Sequence, residues 1–186
     1  RVRDQARRLV ATGVRGAFIA GTTGEGQSLT LSERESLAES WAADSHRSDL
    51  ELIVHVGHNC QADAARLARH ARELEADGVA LHAPSWFRGA SVGGLVDFCE
   101  PVARAAGTVP FYLYDIPSLT GVNVSSARFL AVAAKRLPNL AGVKYTNSDC
   151  AKAQECIQLE QGAFDILWGG DETLLAGIAL GASGAV

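Results

Sequence analysis

The 186-residue sequence has no methionine, only three lysines and no cysteine pair at CxxC spacing. Each absence removes a class of reading. Methionine is missing even at position 1, and the closing GASGAV stops inside an apolar, strand-like run. The expectation is a partial chain, with a first strand and a closing segment lying beyond its ends. Cys60, Cys99, Cys150 and Cys156 are widely spaced, which gives no zinc pattern, so no metal is expected. A chain of this length buries enough core to need no disulfide scaffold, so reduced thiols and a cytoplasmic location are expected. No apolar run approaches the roughly 20 residues of a membrane span, and the opening RVRDQARRLV is arginine-rich and helical, unlike a signal peptide. The net charge is −4, and arginines such as Arg66, Arg69 and Arg72 are scattered along helical stretches. Without a concentrated basic surface, nucleic acid is excluded as a partner.

What is present is a regular alternation. Short apolar runs at 17–21, 52–57, 78–84, 109–115, 141–146, 164–169 and 183–186 read as strands buried on both faces. Amphipathic stretches separate them. Residues 61–76 carry Ala64, Leu67, Ala68, Ala71 and Leu74 on one face. Ser32 with Glu35 three positions on predicts a capping box for a helix over 32–43. Ser125 or Ser126 starts a helix to 136 that turns Phe129, Leu130 and Val132 inward, and 92–106 and 150–160 are also helical. Strict alternation with a repeat of roughly 30 residues predicts a parallel α/β sheet, either doubly wound or closed as a barrel. We take the barrel: a single (β/α)8 TIM barrel domain over 1–186, incomplete at both ends because a full barrel needs about 250 residues.

Barrel chemistry sits at the C-terminal ends of the strands. Lys144 lies within the strand AGVKYT, whereas Lys135 and Lys152 lie in polar helices. Burial among apolar neighbours favours the neutral amine that attacks carbonyls. A strand-end lysine that snorkels or pairs with a carboxylate fits the same residues. Tyr114 precedes a turn forced by Pro117 and reads either as a proton-passing phenol or as a core tyrosine. GTTGEG at 21–26 offers free amides and the hydroxyls of Thr22 and Thr23 as an anion-binding nest, or makes a plain βα turn. In GGDE, Asp171 and Glu172 either bind hydroxyls or cap a helix. His55 and His82 read as strand residues of the core, and His46, His58 and His70 show no base–nucleophile pattern.

In this order and spacing, GTTGEG, YDIPSLTG, GVKYT and GGDE resemble the signature of the pyruvate-dependent aldolase and lyase family, which includes the N-acetylneuraminate lyases and the dihydrodipicolinate synthases. The resemblance runs along essentially the whole chain. It implies a (β/α)8 barrel, a homotetramer and a lysine Schiff-base mechanism with no cofactor. Lys144 matches the Schiff-base lysine and Tyr114 the proton-relaying tyrosine. Thr22 and Thr23 match the hydroxyl pair that helps hold the pyruvate carboxylate. Leu119 stands where the synthases usually carry an arginine, and PSLTG resembles the PALTG of the sialic-acid branch. In that branch Thr146 matches a threonine near the substrate C4 hydroxyl, and Gly169, Asp171 and Glu172 match positions that contact the polyol chain. The segment PSWF (84–87) departs from the tyrosine pair of many members and reads as a branch marker. The implied reaction is reversible cleavage of N-acetylneuraminate to N-acetylmannosamine and pyruvate. A 2-keto-3-deoxy sugar acid aldolase, a dihydrodipicolinate synthase and a non-catalytic keto-acid- or sugar-binding protein stay open as alternatives.

Overall fold

A computed structural model of the chain describes residues 1–45, 50–88 and 91–186; His46 lies outside them. In chain order the elements are α1 (Val2–Ala11), β1 (Gly16–Ile19), α2 (Leu31–Ser45), β2 (Glu51–His55), α3 (Gln61–Glu73), β3 (Gly78–His82), α4 (Val92–Ala106), β4 (Phe111–Asp115), the short α5 (Pro117–Thr120), α6 (Ser126–Ala133), β5 (Leu140–Tyr145), α7 (Cys150–Gln158), β6 (Asp165–Trp168), α8 (Leu174–Leu180) and β7 (Gly184–Ala185). All seven expected strands form, the last as two residues only.

The strands form one parallel sheet in the order β1-β2-β3-β4-β5-β6-β7. A doubly wound sheet reverses its winding at a switch point, so its first strand lies in the middle. Here each strand pairs with its sequence neighbour, so the sheet is the curled wall of a TIM barrel. Period-2 alternation then splits every strand. One set of side chains, including Leu52, Val79, Leu81, Phe111, Val143, Tyr145, Ile166 and Trp168, packs against the helices as the hydrophobic core. Burying each large side chain contributes about 1.5–3 kcal/mol. The alternate set, with Tyr114 and Lys144, lines the inner face.

Two local expectations are corrected. The capping box of α2 is formed by Thr30 and Glu33: the Thr30 amide donates to the Glu33 carboxylate and the Glu33 amide to the Thr30 hydroxyl. Glu35, two residues further on, instead pairs with both donor arms of Arg66 on α3 at 2.7 Å. In α6, capped by Ser125 as expected, Phe129 and Leu130 are fully buried but Val132 is 40% exposed. Val132 is two residues from Leu130, about 200° round the helix, so it faces solvent.

One irregularity positions the chemistry. Phe111 pairs with Leu140, but Tyr112 pairs with Gly142, so β5 carries one extra residue, Ala141. A one-residue shift moves every later side chain to the other face. The bulge thus sets Lys144 across from Tyr114 on the inner face. Gly142 follows it, and a Cβ there would overlap the Asp165 carbonyl oxygen of β6. We expect Gly142→Ala to lose about 3 kcal/mol of stability in urea unfolding, the upper range for overpacking, because backbone must move.

Candidate active site

Four strand ends bring the site together. From β5, Lys144 is only 7% exposed, and among the described residues no carboxylate pairs with it. The structure therefore does not support the paired strand-end reading. Its Nζ instead stands 4.1 Å from the ring centroid of Tyr114 and 4.3 Å from that of Phe18. Tyr114, at the end of β4, is itself buried, and its hydroxyl shares a 3.1 Å hydrogen bond with the Thr22 hydroxyl after β1. Thus the phenol links the amine to the glycine-rich turn.

That turn is tightly built. Gly26 donates to the Gly21 carbonyl and Glu25 to the Thr22 carbonyl. Ala20 adopts φ 54°, a left-handed conformation rare for a residue with a side chain, and a Cβ on Gly26 would collide with its carbonyl oxygen. Among the described residues, the amides of Thr22, Thr23 and Gly24 donate to no backbone carbonyl, which leaves these donors free for an anionic group. Thr23 is exposed, and among the described residues its hydroxyl makes no hydrogen bond, so only Thr22 reaches Tyr114.

On the other flank, the Thr146 hydroxyl is buried with no hydrogen-bond partner among the described residues. Gly169, after β6, leaves it room: a Cβ there would strike that oxygen and sit 3.4 Å from Lys144 Cε. Asp171 and Glu172 begin a 3-10 turn in which no side chain caps the backbone, and both are exposed. The capping alternative therefore has no hydrogen bond behind it. Asp115, beside Tyr114, faces away from the cleft and accepts from Ser126 at 2.9 Å, fastening α6 to β4. Burial pushes its carboxyl upward, against the opposing hydrogen bonds from Ser126 and Asn147.

The sequence did not expose the importance of His55 and His82. They are buried, as expected for strand residues, but on the inner face rather than in the helix-facing core. With Thr22, Gln27, Ser85 and Leu119 they line a cleft of about 450 Å3 open to solvent. Burial, then the proximity of His82, Arg34 and Lys144, holds His55 well below the ordinary imidazole range. Burial likewise lowers His82, with Arg34 and His58 adding to it. Burial thus disfavours the charged form of both rings. No spacing rule flags such a pair; only a polar residue at an inward strand position hints at it.

For a metal, His58, Cys60 and Asp63 bring ligand atoms within 4.8 Å of one another. However, the His58 Nδ1 lone pair already accepts the Cys60 amide at 2.9 Å, as part of the α3 start. All four cysteines are free. No helix among the described residues is long and apolar enough to cross a membrane.

The chain resembles known proteins over most of its length. The chain is 40% identical over 175 residues to N-acetylneuraminate lyase of Rattus norvegicus, covering 94% of this chain and 55% of that protein. It is also 40% identical over 174 residues to the enzyme of the same name from Gallus gallus, covering 93% and 56%. The chain thus spans about half the length of these relatives. Among solved structures, the Proteus mirabilis N-acetylneuraminate lyase superposes with a TM-score of 0.96 at 39% identity, over 100% of this chain and 62% of that one. The Aquifex aeolicus dihydrodipicolinate synthase gives 0.92 at 27% identity, over 100% and 62%. The model of the dihydrodipicolinate synthetase family matches residues 1–186, and the chain belongs to that family.

Proposed function

We propose that this chain carries the catalytic centre of a Schiff-base lyase that cleaves N-acetylneuraminate reversibly to N-acetylmannosamine and pyruvate. The observation that carries the reading is the buried Lys144 amine, unpaired with any described carboxylate, set over the ring of a tyrosine hydrogen-bonded to the glycine-rich turn. The similarity to N-acetylneuraminate lyases supports the choice of substrate.

The amine of Lys144 adds to the C2 ketone of the open-chain sugar, and loss of water gives a protonated imine. The faces of Phe18 and Tyr114 lie where that positive charge develops and stabilise it. The C4 hydroxyl then gives up its proton, the C3–C4 bond breaks, and its electron pair moves into the iminium to form an enamine. Tyr114, supported by Thr22, mediates the proton transfer. The aldehyde product leaves, C3 is reprotonated, and water releases pyruvate from Lys144. The free amides of 22–24, with the Thr22 and Thr23 hydroxyls, hold the carboxylate. Thr146, whose hydroxyl lacks a partner, receives the C4 hydroxyl, and Gly169, Asp171 and Glu172 receive the polyol. No step needs a metal or organic cofactor. A cytoplasmic homotetramer is part of the same proposal.

Leu119 lines the cleft and is 58% exposed. It offers no charge-assisted bond to a second carboxylate, which speaks against a synthase. The test is borohydride reduction in the presence of pyruvate, read by peptide mass spectrometry. A reduced pyruvyl adduct on Lys144 is expected; a folded protein with no adduct would overturn the reading. Comparing turnover of N-acetylneuraminate with that of a 2-keto-3-deoxy sugar acid then assigns the substrate. Asp171→Asn should raise KM for the sugar about tenfold, the loss of one charge-assisted hydrogen bond to a hydroxyl, while the pyruvate adduct still forms.

A further inference from the structure

We propose that His55 is a positioning residue: braced by the buried Arg34, it holds the glycine-rich turn, and through that turn Tyr114, in the geometry that receives a keto-acid carboxylate. This rests on the Schiff-base reading for its chemistry, but its geometry is independent of it.

Three observations converge. Arg34 is 3% exposed, and among the described residues no carboxylate pairs with it. A buried cation without a counter-charge is costly, and here only its terminal nitrogens offset that cost, since Nε has no hydrogen-bond partner among the described residues. Its two terminal nitrogens donate to the carbonyls of His55, at 2.6 Å, and Gly57, at 2.9 Å. Gln27, from just beyond the turn, donates to the same Gly57 carbonyl at 2.8 Å. The end of β2 is thereby clamped.

From that clamped end, the His55 ring reaches across to β1. Its Nδ1 lies 2.8 Å from the Ala20 carbonyl, which can only accept, so Nδ1 carries the proton. Ala20 is the residue in the left-handed conformation that opens the turn. Such strain persists only when its surroundings over-determine it. Here the His55 bond and the fit of Gly26 against Ala20 supply that constraint. The same ring packs edge-on against Tyr114 with centroids 5.5 Å apart, while Thr22 in the turn holds the Tyr114 hydroxyl. His55 therefore touches both the turn and the tyrosine, in a cleft the ligand enters.

A histidine that merely filled core would be replaceable by an apolar side chain of similar size. His55→Asn separates the alternatives, because its amide nitrogen occupies the place of Nδ1, whereas the longer His55→Gln places its amide at Nε2. His55→Leu removes the donor altogether. We expect Leu and Gln to raise the pyruvate concentration for half-maximal borohydride trapping about tenfold and to speed hydrogen exchange across residues 20–28 about tenfold, a lost hydrogen bond's worth. Asn should stay within about threefold of the parent in both. If Asn and Gln fold and behave alike, or if Leu matches the parent, the positioning role is wrong. If the parent itself traps no pyruvate, the lyase reading fails, while the exchange measurement still decides whether His55 holds the turn.

Discussion

Lys144→Ala should reduce N-acetylneuraminate cleavage on the order of 10^5-fold and abolish the borohydride-trapped adduct, with little loss of stability. Removing a covalent nucleophile costs about this much because the remaining groups retain only binding and polarisation. Stability is expected to hold because, among the described residues, the amine makes no ion pair and meets two ring faces. Burying a polar amine is itself unfavourable, which offsets the contacts that alanine loses. Steady-state kinetics together with thermal unfolding check both halves. A variant that keeps more than about one-hundredth of the parent rate would remove Lys144 from the chemistry.

Tyr114→Phe should lower kcat by about 10^3, within the usual range for a lost general acid–base group. The ring stays, so the face beneath Lys144 and the contacts with Phe18 and His55 are preserved. Only the hydroxyl and its bond to Thr22 disappear. The effect should therefore fall on proton transfer rather than on imine formation. Adduct formation with pyruvate should survive at reduced rate while carbon–carbon cleavage is nearly lost. Pre-steady-state measurement of both steps separates them; equal losses in each would mean that the phenol only orients the amine.

Much of this was legible from residue order. Helix and strand alternate because the hydrophobic period switches between 2 and 3.6, and that switch is written locally. All seven strands and helices α1 to α4, α6 and α7 follow from it, whereas the short α5 was not read from the sequence and α8 was given no range. The four motifs, GTTGEG, YDIPSLTG, GVKYT and GGDE, name the residues at the strand ends, since a barrel puts its chemistry there. The error over the α2 cap has a cause that lies outside the local sequence. Thr30–Glu33 and Ser32–Glu35 both satisfy the capping pattern, and the outcome turned on Arg66 of a different helix claiming Glu35.

Other features required the assembled sheet. Whether the alternation winds into a barrel or reverses is a question of which strands pair, and only β1-to-β7 order answers it. His55 and His82 looked like strand residues of a core; that their strands turn them toward a cleft depends on the register of β2 and β3. The freedom of Asp171 and Glu172, and the missing partner of the Thr146 hydroxyl, are facts about what surrounds them in space. Most of the elements and the candidate residue types can be read from residue order, because propensity and periodicity act between near neighbours. That Lys144 faces Tyr114 follows only from strand pairing, because one extra residue at Ala141 reverses the faces of β5, and a face has no meaning until strands pair.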